Sequence, residues 1–247
     1  MPELKVVRAP VAENREVAPG VFLLRLEGRF VAEPGQFFML RAWERDPLLA
    51  RPMSVFDLSP QALAFLYAVR GRGTALLANL RLGDRVQLWG PLGQGWKRVP
   101  GRIALVGGGM GLAPLLWTAK QFGSPLDVYL GFRHRPWMVE VFRSLADHVH
   151  VTSEVGAPGC TQGLVTEAFS PRGYAACYAC GPKPMLLGLH RMCQEAGVPL
   201  FVALEERMAC GVGACLGCTV WTRSGPKRAC SDGPVFPSAE VFFDALP

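Results

Sequence analysis

The sequence predicts a chain of α/β plus β class. It reads as an N-terminal antiparallel β-barrel, a central doubly wound parallel α/β domain and a short C-terminal segment organised by cysteines. Three observations predict this. Short apolar runs separated by turn pairs fill the first block. Strand–helix alternation takes over beyond the Gly- and Pro-rich stretch 90–101. The last stretch has little continuous apolar pattern, yet it holds Cys210, Cys215, Cys218 and Cys230. The boundaries are drawn at 1–97, 98–205 and 206–247.

In the first block the strand-like runs are V-F-L-L-R-L-E (21–27), Q-F-F-M-L-R-A (36–42), M-S-V-F-D-L (53–58), L-A-F-L-Y-A-V (63–69) and R-V-Q-L-W (85–89). Turn signals at Pro19-Gly20, Pro34-Gly35, Ser59-Pro60 and Gly83-Asp84 separate them. Regular short strands at this spacing predict a small antiparallel barrel. One short helix, 75–80, is entered through Gly71-Arg72-Gly73-Thr74. The stretch 90–101 reads as a linker. The second block then alternates: strand 102–106, helix 113–121, strand 126–132, helix 137–145, strand 149–152, helix 164–169, strand 174–180 and helix 185–196. Gly197 stops that last helix. P-L-F-V-A-L (199–204) is the strand expected to close the sheet. The third block is short enough to need a staple or a neighbour to stay ordered.

Composition narrows the function classes. The chain has 247 residues, half of them apolar, enough for one large or two modest cores. Its net charge of +6 comes without a Lys/Arg run or basic–aromatic alternation, so nucleic acid is not an expected partner. The 4 histidines form no H-E-x-x-H pair. Residues 103–119 carry no charge, but Gly107, Gly108, Gly109, Gly111 and Pro114 interrupt them, so no membrane span is expected. The N-terminus lacks the apolar core of a signal peptide. A reducing, cytoplasmic setting follows, which disfavours disulfides among the 8 cysteines.

Four motifs carry chemistry. The tail cysteines are spaced C-x4-C-x2-C with Cys230 further on, the plant-type 2Fe–2S spacing. Gly211, Gly213 and Gly217 allow the irregular backbone that convergent thiolates need. A structural zinc usually takes two C-x2-4-C knuckles, and only Cys215 and Cys218 form one here. Second, V-G-G-G-M-G-L-A-P (106–114) follows a strand and opens a helix, a place suited to a pyrophosphate. It departs from G-x-G-x-x-G, and no acidic ribose-binding residue stands about twenty residues on. Third, Cys180-Gly181-Pro182 ends a later parallel strand, where ligands of open α/β sheets sit. Cys177 and Cys180 fall on opposite faces of that strand, so a shared metal is not expected. Fourth, A-R-P-M-S (50–54) and G-R-G-T (71–74) offer an arginine, hydroxyls and a glycine turn for phosphate, or serve as ordinary turns.

In this order the motifs resemble the ferredoxin–NADP reductase superfamily. The tail, E-R-M-A-C-G-V-G-A-C-L-G-C-T-V with R-A-C-S-D-G-P-V-F, is similar to the electron-transfer subunits of NAD-linked dihydroorotate dehydrogenases. The resemblance covers essentially the whole chain. It implies that Arg51 holds the FAD pyrophosphate and that Pro52, Met53 and Ser54 line the isoalloxazine, with Ser54 near N5. Leu66, Tyr67 and Ala68 add flavin contacts, Ala68 through its backbone only. Gly73 and Thr74 bind phosphate. Gly107, Gly108, Gly109 and Gly111 shape the NAD(H) site with Cys180, Gly181 and Pro182. Cys210, Cys215, Cys218 and Cys230 ligate a 2Fe–2S cluster. Many superfamily members have tyrosine where Met53 stands; the dihydroorotate branch typically has an aliphatic residue.

The implied function is electron transfer between NAD(H), FAD and the cluster, to or from the FMN of a separate catalytic subunit. The implied assembly is a heterotetramer of two catalytic and two electron-transfer subunits. No general base or nucleophile for dihydroorotate is legible in this chain. Two other readings stay open: a subunit of a ferredoxin- or sulfur-linked NAD(P)H reductase, and a zinc-clasped scaffold that binds a protein. The choice between NAD and NADP is also open, because Arg133 and Arg135 follow a central strand and would suit a 2′-phosphate.

Overall fold

The computed structural model describes residues 6–246. Six strands close the barrel: β1 (Val6–Ala18), β2 (Val21–Glu27), β3 (Phe37–Arg41), β4 (Arg51–Ser59), β5 (Ala62–Ala68) and, after helix α1 (Arg72–Ala78), β6 (Arg85–Leu92). Their order is β1-β2-β5-β4-β3-β6, antiparallel throughout. Leu24, Leu26, Phe38, Leu40, Val55 and Phe65 fill the interior.

β1 is the strand that sequence reading missed. Only Ala9 and Val11 along it are buried, so it shows no usable alternation. A shift in register near Val11–Glu13 explains this. Its first half pairs with β6 and its second half with β2, and the bend between them closes the barrel. β6 runs on to Leu92, into the expected linker.

The second block continues with β7 (Ile103–Gly108), α2 (Ala113–Phe122), β8 (Leu126–Phe132), α3 (Glu140–Arg143), β9 (His148–Ser153) and the edge strand β10 (Thr161–Gln162). It then runs through α4 (Val165–Ala168), β11 (Ala176–Cys180), α5 (Lys183–Ala196) and β12 (Leu200–Ala203). α3 is shorter than expected, because Met138 adopts φ 56, a left-handed conformation a right-handed helix cannot contain. Gly197 caps α5 at φ 68, as the sequence predicts, and Val198 N–H reaches back to the Cys193 carbonyl.

The tail contributes β13 (Thr219–Thr222), β14 (Gly225–Arg228) and β15 (Val235–Pro237). The sheet order is β10-β9-β8-β7-β11-β12-β15. β12 is therefore not the closing strand: β15 lies outside it, antiparallel, with Val202 opposite Phe236. The third block's apolar residues are spent on this edge and on a hairpin, too briefly to give a periodic signal.

Alternation along β7 and β11 sorts the two faces. Ile103, Leu105, Tyr178 and Cys180 pack with α2 and the barrel's Leu23 and Phe56. Ala104, Val106, Cys177 and Ala179 pack with α5 and the tail's Val220, Phe236 and Val241. Cys177 and Cys180 thus lie on opposite faces. Chain order reverses direction between β7 and β11, and that switch point is where open sheets bind ligands.

Candidate functional site

Two clefts and a cysteine loop meet around the switch point. The first cleft, about 310 Å³, lies between barrel and sheet. β4 supplies Arg51, Pro52, Met53 and Ser54 to its wall; β5 supplies Leu66, Tyr67 and Ala68; the turn into α1 supplies Thr74. Gly73 is not on the wall: a Cβ there would press on the Arg51 guanidinium at 2.7 Å, so glycine lets α1 approach that cation. Arg51 also stacks over Trp43 at 5.4 Å and has no carboxylate partner among the described residues. An anionic group fits beside it. The Thr74 hydroxyl is engaged internally, accepting from Arg70 and Gly71 N–H and donating to the Gly71 carbonyl.

Sequence reading missed several groups here. Asn14, on β1, accepts from the Tyr67 hydroxyl at 3.1 Å and donates to the carbonyls of Leu77, Ala78 and Leu80 at the end of α1. Burial pushes the Tyr67 phenol up, only partly opposed by Asn14. Glu205 and Glu206 complete the opposite wall. Glu205 is exposed on the cleft's wall, yet desolvation by the surrounding protein raises its pKa, and Arg70 opposes that shift.

The second cleft, about 390 Å³, lies outside the carboxyl ends of β7, β8 and β9. Gly108, Gly109 and Pro182 line it, with Gly131, Arg133, Thr152 and Glu154 further out. Gly107 and Gly111 work behind it. A Cβ on Gly107 would meet Leu115 at 2.9 Å, and one on Gly111 would strike the Cys180 carbonyl. Gly181 approaches Gly108 N at 3.0 Å on the same measure, so the turns after β7 and β11 interlock. Cys180 lines neither cleft. Burial pushes its thiol well up, with Glu205 adding to the effect. The turn at 108–113 faces both clefts: Gly108 and Gly109 toward the second, Met110 and Ala113 toward the first.

The cysteine loop begins two residues beyond Met208 of the first cleft's wall. Gly211 rests on barrel strands, where a Cβ would meet Met39 Cγ at 2.7 Å. Met39 is itself the register partner of Pro52. The β13–β14 hairpin returns the distant Cys230 to Cys218, and Ala229 N–H bonds the Cys218 carbonyl. Gly213 N–H donates to Cys230 Sγ at 3.1 Å and Val212 N–H to Cys210 Sγ at 3.4 Å. Burial pushes the Cys210 thiol up, but the amides of Val212, Cys215 and Ala214 and the Cys215 side chain bring it down to about 6. Burial and then the Cys218 thiol push Cys230 up to about 12.

Among the described residues no three metal-binding side chains gather as a mononuclear centre needs. The Cys215 thiol acts on Cys210 and the Cys218 thiol on Cys230, so the four free thiols lie as two neighbouring pairs. One pair for each of two irons fits a binuclear cluster.

Residues 205–242 match the family described as iron–sulfur cluster binding domain of dihydroorotate dehydrogenase B. The electron transfer subunit of dihydroorotate dehydrogenase B (NAD(+)) from Clostridium acetobutylicum is 39% identical over 237 residues, covering 95% of this chain and 96% of that one. The counterpart from Caldanaerobacter subterraneus subsp. tengcongensis is 40% identical, covering 96% and 98%. This chain belongs to that electron-transfer subunit family. A solved structure of an NADH-dependent reduced ferredoxin–NADP oxidoreductase, studied for flavin-based electron bifurcation, is 31% identical with a TM-score of 0.87. It covers 96% of this subunit and 91% of that chain. The ferredoxin reductase of carbazole 1,9a-dioxygenase, 23% identical at a TM-score of 0.68 over 79% of this chain and 67% of its own, shares the fold. Among the subunit's described residues no helix is long and apolar enough to cross a membrane.

Proposed function

We propose that this subunit carries electrons between NAD(H) and the FMN of a dihydroorotate dehydrogenase catalytic subunit, in pyrimidine biosynthesis in the cytoplasm. FAD and a 2Fe–2S cluster serve within the subunit; when bound, they convert a two-electron hydride exchange into single-electron transfers. One observation carries the reading: the 108–113 turn is shared by both clefts, and the first cleft's wall runs through Met208 directly into the cysteine loop.

In this reading Arg51 neutralises the FAD pyrophosphate, with Gly73 and Thr74 shaping its approach. Pro52, Met53, Ser54, Leu66, Tyr67 and Ala68 orient the isoalloxazine. Gly107, Gly108, Gly109, Gly111, Cys180, Gly181 and Pro182 form and brace the floor for NAD(H). Cys210, Cys215, Cys218 and Cys230 hold the cluster, and the peptide N–H groups aimed at their sulfurs tune it. Cys215 is exposed and Leu216 beside it is 60% exposed, so this rim faces outward, toward the catalytic subunit. Two copies of each subunit make up the assembly.

The test is reconstitution with the FMN-bearing catalytic subunit. The complex should reduce NAD+ in a dihydroorotate-dependent way, while this subunit alone should oxidise NADH with artificial acceptors and leave dihydroorotate untouched. A complex that reduces NAD+ equally well without dihydroorotate overturns the reading. Efficient exchange with a reduced ferredoxin instead would favour the ferredoxin-linked function of the 31% identical structural relative.

A further inference from the structure

Eleven residues separate Cys218 from Cys230, so chain proximity alone does not fix the fourth thiol against the first three. Arg228, two positions before Cys230, joins the two parts. Its backbone carbonyl accepts from the N–H groups of Ser231, Asp232 and Gly233, which closes the turn that carries Cys230. Its side chain works in two directions. Nε and Nη2 donate to the Asp232 carboxylate at 3.1 and 3.4 Å, and Asp232 also accepts the Arg228 N–H at 2.7 Å. Nη1 reaches across to the cysteine loop and donates to the Gly213 carbonyl at 3.2 Å.

At Gly213 this contact has a chemical consequence. The Gly213 N–H donates to Cys230 Sγ at 3.1 Å. Its carbonyl shares a peptide with the N–H of Ala214, one of the amides that act on the Cys210 thiol. A peptide is planar and turns as a unit, so holding the carbonyl also aims the Ala214 N–H. One guanidinium thereby grips the residue that serves a sulfur in each neighbouring pair. Gly213 has φ 80, and a Cβ on it would meet Ser231 Oγ at 3.0 Å, so the position suits glycine. That Ser231 hydroxyl is itself buried, with no hydrogen-bond partner among the described residues. Such a donor is unfavourable until an acceptor enters, and the sulfurs of a cluster are acceptors.

We propose that Arg228 is a positioning residue for the 2Fe–2S cluster, raising its reduction potential by holding the Gly213–Ala214 peptide with its N–H toward the cysteine sulfurs. Reduction adds one electron, and so one negative charge, to the group those sulfurs hold. Donors aimed at the sulfurs favour the reduced form. Asp232 anchors the guanidinium, although its own negative charge acts the other way. This inference rests on the four cysteines holding a 2Fe–2S cluster.

The experiment is a redox titration of the assembled complex, followed by the paramagnetic resonance of the reduced cluster. Arg228→Gln should shift the one-electron reduction equilibrium about tenfold toward the oxidised form, which is about 59 mV. Arg228→Lys keeps the charge but has no fork to span Asp232 and Gly213, so its potential should also fall, by less. Asp232→Asn separates position from charge. Removing a negative charge alone would raise the potential, whereas releasing the guanidinium should lower it. An unchanged potential in Arg228→Gln overturns the inference, as does an unchanged or raised one in Asp232→Asn. If Arg228→Gln assembles no cluster, an unchanged potential in Arg228→Lys overturns it equally. A wild-type complex without any cluster signal would instead remove the reading of the four cysteines, and the inference with it.

Discussion

Asn14 shows how much a single side chain can join. One amide accepts from a phenol on the first cleft's wall and donates to the carbonyls ending α1, whose other end lies against Arg51. Carbonyls at a helix end have no partners of their own, so Asn14 fixes α1 relative to β5. Asn14→Ala should cost roughly 1–3 kcal/mol and make FAD dialyse away faster, leaving ADP-ribose affinity unchanged. Equal loss of both affinities would argue against a local role. The cysteines divide in the same residue-by-residue way. Cys215→Ser removes one of the four proposed ligands at an exposed position, so it should abolish the cluster's absorbance yet largely spare NADH oxidation by artificial acceptors. Parallel loss of both would contradict the proposed path. Cys210, Cys215, Cys218 and Cys230 were legible because their spacing is itself a chemical statement. Asn14, Glu154 and Glu205 were not, because one polar residue in a turn or an irregular strand carries no periodic signal.

At the scale of elements, strand and helix identity was legible wherever apolar residues repeat. β2, β5, β8 and α5 lie where alternation or helical spacing puts them. β1 and β15 were hidden for opposite reasons. One is long, polar and bent; the other is too short to show a period. The sheet also divides its labour between its ends. Carboxyl ends carry the clefts, while amino ends carry a polar cluster: Asp127 accepts from Arg102 at 2.6 Å and from the Tyr174 hydroxyl at 2.6 Å, and Tyr129 meets Tyr174 at 2.9 Å. Burial raises the Asp127 carboxyl, but these donors outweigh it and hold its pKa below the usual range. A carboxyl depressed in the folded state stabilises fully above the unfolded value of about 4, and that contribution fades as pH falls through the lower folded value. Asp127→Asn should therefore cost roughly 1–3 kcal/mol at neutral pH and flatten the acid limb of thermal stability. Arg102 is 37% exposed, so solvent tempers the pair and the Tyr174 bond carries much of the effect. ADP-ribose affinity should not move, since the cluster stands at the far end of the strands.

Across the whole molecule the tail acts as a clasp more than as a separate module. β15 extends the sheet, Gln94 bridges to Pro234, and Gly93 admits the Gly233 backbone at a Cβ distance of 2.5 Å. Phe236 and Val241 enter the same core as α5, and His190 of α5 bonds the Ser238 hydroxyl at 3.0 Å. The expectation that so short a segment needs a neighbour is met by apolar contact and by strand pairing, in addition to any metal. This separates the subunit from small zinc domains, which unfold when stripped of metal. The cysteine loop lies on the barrel's outer surface, with Cys215 exposed, whereas β15 is pinned elsewhere. Chelating the iron should therefore leave the barrel and sheet folded, with protease sensitivity gained only around 207–217. Phe236→Ala should do the reverse: about 3–5 kcal/mol of lost stability from the emptied core position, with the tail cut beyond β12 even while cluster absorbance remains. The two treatments are compared by limited proteolysis and thermal melts of the same preparation. If chelation melts the sheet as far as Phe236→Ala does, the cluster is the staple of this chain and the clasp is secondary.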